Sequence, residues 1–343
     1  KVVPVKKIEL HLHLEGAAPP AFIRGLAAEK HADLSGVFDE QGNYSYDGFD
    51  GFLRCYEAAT SVLRTPQDFA RLLAEVLERS AEQGVIYTEL FVSPEFCGGA
   101  DLSAWRDYLA AMTEVADKSR AQGIDSRAIL TAIRHFGPDR ARKTAICAAE
   151  TAGDWVTGFG MGGAETVGRA TDYAWSFDCA REAGLGLTCH AGEWGGPDSV
   201  RDALALGCTR IGHGVRAIED AGLTARIAGE GIVLEVCPTS NIRTAVYPGY
   251  AAHPLNRLRA AGCAVTLNSD DPPYFGTSIG REYDVAKRHF GWSDEELLIA
   301  TTASLDAAFI DAETRTRLTA RLRSAGSPAA APPNDGHEPG PAR

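Results

Sequence analysis

No long block of lysine and arginine interrupts this sequence, and 46 acidic residues outnumber 34 basic ones, for a net charge of −12. A protein that grips nucleic-acid backbones needs a basic footprint. No nucleic-acid partner is therefore expected, and a small or neutral one suits the charge better. No apolar run is long enough to span a bilayer and no signal-peptide pattern is present, so neither membrane insertion nor export is expected. The 8 cysteines (Cys55, Cys97, Cys147, Cys179, Cys189, Cys208, Cys237 and Cys263) contain no C-x-x-C pair. Several sit inside apolar runs, which suits reduced, buried thiols in a cytoplasmic protein. A dinucleotide fingerprint is also missing: "GFGMGG" lacks the G-x-G-x-x-G spacing and lies in the fourth apolar run, not after an early one. Histidine is sparse, with 9 in 343 residues, so where each one falls is informative.

What the sequence does hold is a globular balance, 45% hydrophobic and 23% charged, with length enough for a large core. Short apolar runs alternate with Ala/Leu/Arg-rich helical stretches. Eight runs read as strands: 6–14, 85–93, 127–136, 156–163, 186–193, 209–215, 232–241 and 264–272. Strands alternating with helices imply right-handed βαβ units and a parallel sheet. Eight such units predict an α/β fold, a TIM (β/α)8 barrel, with an open doubly wound sheet as the alternative. About seventy residues separate the first two strands. "AFIRGLAAEKH" and "FDGFLRCYEAATSVL" look helical within that insertion, which would sit at the barrel mouth as a lid. Residues 1–324 are read as one barrel domain. Residues 325–343, rich in Pro, Gly and Ala and containing His337, are expected to be disordered, with no role.

Active sites of such barrels form at the C-terminal strand ends. The first predicted strand ends in His11, His13 and Glu15, the fifth in His190 and Glu193, the sixth in His213, and the eighth in Asp270 and Asp271. Glu89 sits mid-strand and His135 ends the third. His11 and His13 are two apart on a strand, so their imidazoles share a face. Two imidazoles side by side are half of a metal site, and His190 with Asp270 could complete it. Adjacent carboxylates on a strand point to opposite sides unless the chain turns, and Pro272 and Pro273 mark a turn here.

"KIELHLHLEG", "GFGMGG", "CHAGE", "RIGHGV", "LEVCPTSN" and "LNSDDPPYFG" together resemble the adenosine deaminase family within the metal-dependent amidohydrolases, from residue 7 to about 285. The resemblance implies one Zn2+ ion per chain, held by His11, His13, His190 and Asp270. It implies that Glu193 protonates the purine at N1, and that His213 and Asp271 orient and activate the attacking water. Gly163 would offer its N–H to ring N3, His13 and Asp271 would also touch the substrate, and Glu15 would face the sugar side. The implied reaction is hydrolytic deamination of adenosine and 2′-deoxyadenosine to the inosine plus ammonia. The alternatives are an adenine deaminase, or a deaminase of a modified adenosine such as aminodeoxyfutalosine. Two departures matter. "HLEG" carries Glu15 where adenosine deaminases of animal type have an aspartate that contacts the ribose 5′-hydroxyl. The usual acidic residue after "GG" is Ala164, with Glu165 following. The H-x-E signature paired with P-C-x-x-C, and so the Cys-rich zinc site, of other deaminases is missing, as is the fourth-strand lysine of other amidohydrolases. Oligomeric state is left open.

Overall fold

The computed structural model describes residues 5–324; the segment expected to be a disordered tail, His337 included, lies outside them. Eight strands form: β1 (Lys7–His13), β2 (Val85–Val92), β3 (Asp125–Ile133), β4 (Val156–Gly162), β5 (Gly186–Ala191), β6 (Arg210–His213), β7 (Val233–Val236) and β8 (Ala264–Leu267). They pair in parallel in sequence order. A parallel Leu12–Asp270 bridge brings β1 beside the end of β8. The helices are α1 (Pro20–Glu29), α2 (Gly48–Thr60), α3 (Pro66–Glu82), α4 (Leu102–Ala121), α5 (Pro138–Glu150), α6 (Ala174–Glu182) and α7 (Pro197–Ala205). They continue with α8 (Ala221–Glu230), α9 (Pro238–Arg243), α10 (Leu255–Ala260), α11 (Pro272–Phe275), α12 (Ile279–Phe290), α13 (Asp294–Ala307) and α14 (Ala312–Arg323). This is the TIM-barrel architecture expected from the alternation, with α1, α2 and α3 inside the long first crossover.

The expected strands are all present, but most run too far at their C-terminal ends. Arg134–Phe136 is a 3-10 turn, and Glu193, Asp270 and Asp271 lie on loops. These polar residues leave the ladder because the mouth is where backbone is free to turn. Helix α3 shows the outer layer's logic. Thr65 and Asp68 form a capping box around Pro66, and Phe69, Leu72, Leu73, Val76 and Leu77 make one buried stripe.

Strand β1 departs from simple alternation. Three steps on β1, from Glu9 to Leu12, oppose two on β2, from Thr88 to Leu90. The extra residue is a bulge, and the consecutive N–H groups of Leu10 and His11 both donate to Asn268 Oδ1, at 3.0 and 3.2 Å. Before the bulge Lys7 reaches outward to the Gln83 carbonyl, and Glu9 bonds Ser269. After it, Leu12 and Leu14 join the outer core while His11 and His13 turn to the site.

The floor of the barrel is charged. Arg210, 1% exposed, lies between Glu89 and Glu235, at 2.6 and 2.7 Å. Tyr87 Oη donates to Glu89 Oε1 at 2.7 Å, and Thr188 Oγ1 to Glu235 Oε1 at 3.0 Å. The α13–α14 connection closes this end: Phe309 N donates to Glu89 Oε1 at 2.6 Å, and its ring centroid lies 3.8 Å from the Arg210 guanidinium.

Candidate active site

His11 and His13 come from the end of β1, His190 from β5 and His213 from the last position of β6. His213 and Asp270 sit at φ 60° and 66°. Left-handed backbone in non-glycine residues costs of order 1–3 kcal/mol and persists where surroundings over-determine it. For Asp270 they do: its N–H bonds the His11 carbonyl and its carbonyl accepts from His13 N–H, both at 3.1 Å. The resulting turn brings both adjacent carboxylates, Asp270 and Asp271, to the same cavity. Gly16 makes room for the second, since a Cβ there would fall 1.6 Å from Asp271 Oδ1.

Four side chains meet as a metal-ligand set. His13 Nε2 and His190 Nε2 are 3.1 Å apart, and Asp270 Oδ1 is 3.2 Å from both His11 Nε2 and His13 Nε2. The four ligand atoms all lie within 4.8 Å of one another. Zinc bonds of about 2.0–2.1 Å place neighbouring ligands roughly 3 Å apart. His11 Nε2 and Asp270 Oδ1 are buried without a hydrogen-bond partner, so both aim at a shared point rather than at each other. Three imidazoles and one carboxylate fit a zinc ion. Burial holds the His13 and His190 imidazoles below their ordinary pKa, in the neutral form a metal needs. Burial also opposes charge on His11, but the Asp270 and Glu235 carboxylates outweigh it and push this group up to about 9; a cation satisfies the same demand for positive charge. A second grouping, with His213 and Cys237 in place of His13 and His190, fits less well. Burial pushes the Cys237 thiol well up, away from the thiolate zinc binds.

Partners behind the ligands fix their orientation. Glu235 Oε2 meets His11 Nδ1 at 2.8 Å, and Ser240 Oγ donates to Asp270 Oδ2 at 2.7 Å. Neither was singled out from the sequence, although a glutamate inside an apolar strand, as in "IVLEVC", signals a buried partner. A second chain fixes a tautomer. Leu255 N–H donates to His253 Nδ1 at 3.2 Å, so the His253 proton is on Nε2, which meets Asn241 Oδ1 at 3.0 Å. The Asn241 amide N–H then faces His213 Nδ1 at 3.2 Å. That nitrogen is an acceptor, and the proton of neutral His213 is on Nε2, directed at the site. Burial lowers His213 to about 4.

A cavity opens beside the ligands. Phe49, Phe52, Leu53 and Tyr56 of α2 wall one side, with Phe96 and Phe275; His13, Gly163, Glu193, His213 and Asp271 line it too. Glu57 of α2 meets His135 Nε2 at 3.0 Å, joining the first insertion to the end of β3. Gly163, at φ 89°, lies so close to His135 that a Cβ would stand 2.8 Å from its Nδ1. Glu193 Oε2 is 3.5 Å from His213 Nε2. Burial, then the charges of Asp270 and Glu165, push Glu193 well above the carboxylate range; burial, then Asp270 and Glu193, do the same for Asp271. Glu15 stands apart from these. It is 2% exposed, accepts from Ser93 N–H at 3.0 Å and lies 3.4 Å from Tyr56 Oη, both of which line the cavity in front of it.

The comparisons agree with this geometry. The family model "Adenosine deaminase" matches residues 6–325. An adenine deaminase of Chelativorans sp. (strain BNC1) is 49% identical over 320 residues, 92% of this chain and 98% of that protein. The crystal structure of adenine deaminase from Arthrobacter aurescens superposes with a TM-score of 0.85 at 28% identity, covering 94% of this chain and 98% of that one. An amidohydrolase from Burkholderia ambifaria with bound Zn gives a TM-score of 0.84 at 26% identity, covering 94% and 90%. The chain belongs to the adenosine deaminase family, hydrolases that remove an amino group from a purine.

Proposed function

We propose that this chain is a zinc-dependent adenine deaminase, converting adenine and water to hypoxanthine and ammonia. Adenosine, the leading substrate from sequence motifs, gives way to adenine, the alternative. The observation that carries the choice is the full-length similarity to proteins named adenine deaminase. Glu15 supports it: the carboxylate that would have to receive a ribose hydroxyl is buried behind Ser93 and Tyr56 and already accepts from the Ser93 N–H. All eight cysteines are unpaired, which supports a cytoplasmic setting.

His11, His13, His190 and Asp270 would hold one zinc ion, whose Lewis acidity lowers the pKa of water toward neutrality. The aromatic side chains of α2 and Phe96 enclose the flat ring. Gly163 N–H meets ring N3, and Glu193, held protonated by burial, gives its proton to N1. Ring C6 thereby becomes the electrophile. Asp271, whose ionised form a cation held beside it would favour, takes one proton from the attacking water. His213 donates its Nε2–H to the oxygen that adds at C6. The C6–N bond then breaks, and the amino group leaves as ammonia with the proton from Asp271. The remaining hydroxyl proton returns to Glu193, leaving the 6-oxo purine.

The test is ammonia release from adenine, adenosine, 2′-deoxyadenosine and aminodeoxyfutalosine, by the native enzyme, after chelation, and after zinc is restored. Release from adenine that disappears with the metal and returns with zinc is expected. Turnover by enzyme proven metal-free, or of nucleosides alone, would overturn the reading.

A further inference from the structure

Glu165 takes no part in the reaction just described, yet it has the most crowded carboxylate near the site. Its Oε1 accepts from Gly192 N–H at 2.6 Å and Ser199 Oγ at 2.5 Å. Its Oε2 accepts from the N–H groups of Glu193, Trp194 and Gly195 at 3.0, 2.7 and 2.9 Å. Four consecutive backbone amides and a hydroxyl thus converge on one side chain that is 4% exposed. Every contact is a donor, the arrangement that suits a carboxylate anion. The backbone of this loop is shaped for it. Gly192 sits at φ 69°, and a Cβ on Gly195 would stand 2.6 Å from Glu165 Oε1.

The placement joins two loops. Glu165 is two residues beyond Gly163 on the loop after β4, and the amides belong to the loop after β5, on which Glu193 itself is one of the four donors. The near end of the β4 loop is anchored separately, with Arg134 Nη1 donating to the Glu165 carbonyl at 2.7 Å. Gly163 and Glu193 are the groups assigned to N3 and N1, the two atoms that flank C2 of the same six-membered ring. A loop after a barrel strand is free to move unless tied, and a displacement of about 1 Å at a reacting group costs on the order of 100-fold in rate.

We propose that Glu165 is a positioning residue, clamping the β5 loop to the β4 loop so that the proton donor at N1 and the N–H at N3 are held at the spacing of one purine ring. The Glu165 carboxylate reaches from the loop after β4 across to the loop after β5. This rests on the purine-deaminase reading for the roles of Gly163 and Glu193, while the clamp itself rests on the five hydrogen bonds alone.

Glu165→Gln tests it, because the amide keeps the size but turns a donor toward at least one backbone N–H. Glu165→Ala removes the clamp entirely, and the glutamine variant covers the case in which alanine does not fold. Three quantities are read on zinc-loaded enzyme with adenine: kcat and KM separately, zinc content, and hydrogen exchange of the segment 190–196. The proposal expects kcat to fall about 10- to 100-fold, with KM and zinc content near wild type, because a misplaced proton donor is felt mainly in the transition state. It also expects faster exchange of the 192–195 amides. A purely structural role would instead lower thermal stability and leave kcat per folded molecule within about twofold of wild type. That result, or unchanged exchange in a folded variant, overturns the clamp. If the wild type deaminates only nucleosides, the substrate reading fails and the same comparison is made with adenosine. If it deaminates no purine, the exchange result alone decides the clamp.

Discussion

Glu193 and His213 face each other at 3.5 Å, and in the proposed reaction each needs its proton. Glu193→Gln keeps the shape but cannot transfer a proton. Its kcat on adenine is expected to fall by about 10²–10⁴-fold with zinc content unchanged, as measured by ammonia release and metal analysis on one preparation. Retained turnover would remove Glu193 from the reaction. The His213 proton is directed by Asn241, itself oriented by His253 and the Leu255 amide. Asn241→Asp puts an acceptor where a donor faced Nδ1, so the imidazole proton moves to Nδ1 and leaves the site. A drop of at least about 10-fold in kcat is expected, with a smaller change in KM; wrong-tautomer histidines in other hydrolases lose more. Equal loss of kcat in Asn241→Ala and Asn241→Asp would point to packing rather than tautomer. Residues of this kind were only partly readable in advance. The histidines and aspartates stood out because chemistry-bearing side chains were scarce and fell late in predicted strands. Glu235, Ser240, Asn241 and His253 did not, because their importance lies in contacts between elements far apart in sequence.

At the scale of elements, parallel strands covered on both faces read as apolar runs, which is why eight could be counted. Their C-terminal limits could not be read, since a polar residue ending a strand looks the same as one opening a loop. The bulge in β1 was hidden as well: "KIELHLHL" alternates without a break, and the break is imposed by Asn268 from the far end of the chain. Asn268→Ala leaves two buried N–H groups without acceptors, at a cost of about 1–3 kcal/mol each. Lower thermal stability and weaker zinc retention in a chelator competition are both expected, because His11 follows the bulge directly. A variant destabilised yet with unchanged zinc affinity would show that the bulge does not set the ligand. The insertion carrying α2 was expected at the mouth, and it lies there, supplying the aromatic wall of the cavity.

Across the whole molecule, the barrel separates a charged floor from a reactive mouth, linked through Glu235, which touches Arg210 below and His11 above. Arg210→Met strands two buried carboxylates, and a loss of about 3–5 kcal/mol in urea unfolding is expected. The acid side of stability draws on the buried histidines, His13, His190, His213 and His253 among them. Burial lowers His253 from 6.5 to about 3, so between those values the unfolded chain binds more protons than the folded one. Stability then falls as pH drops through 6.5 toward 3, and this group contributes no slope above that window. Urea unfolding with chelator present, at pH 7.5 and 5.5, should show a smaller difference in His253→Gln than in wild type; an equal difference would assign the acid slope to other groups. The overall fold was readable because βα alternation is a whole-chain pattern, and the reaction class because six motifs, several at strand ends, resemble the adenosine deaminase family. Substrate choice was not, since in the proposed reading it turns on where one buried carboxylate, Glu15, is directed. The most direct test is therefore kcat/KM for adenine against adenosine, measured side by side on one zinc-loaded preparation. A preference for adenine on the order of 100-fold or more is expected, since Glu15, the carboxylate that would receive a ribose hydroxyl, is buried behind Ser93 and Tyr56; equal values, or a preference for adenosine, would contradict the assignment.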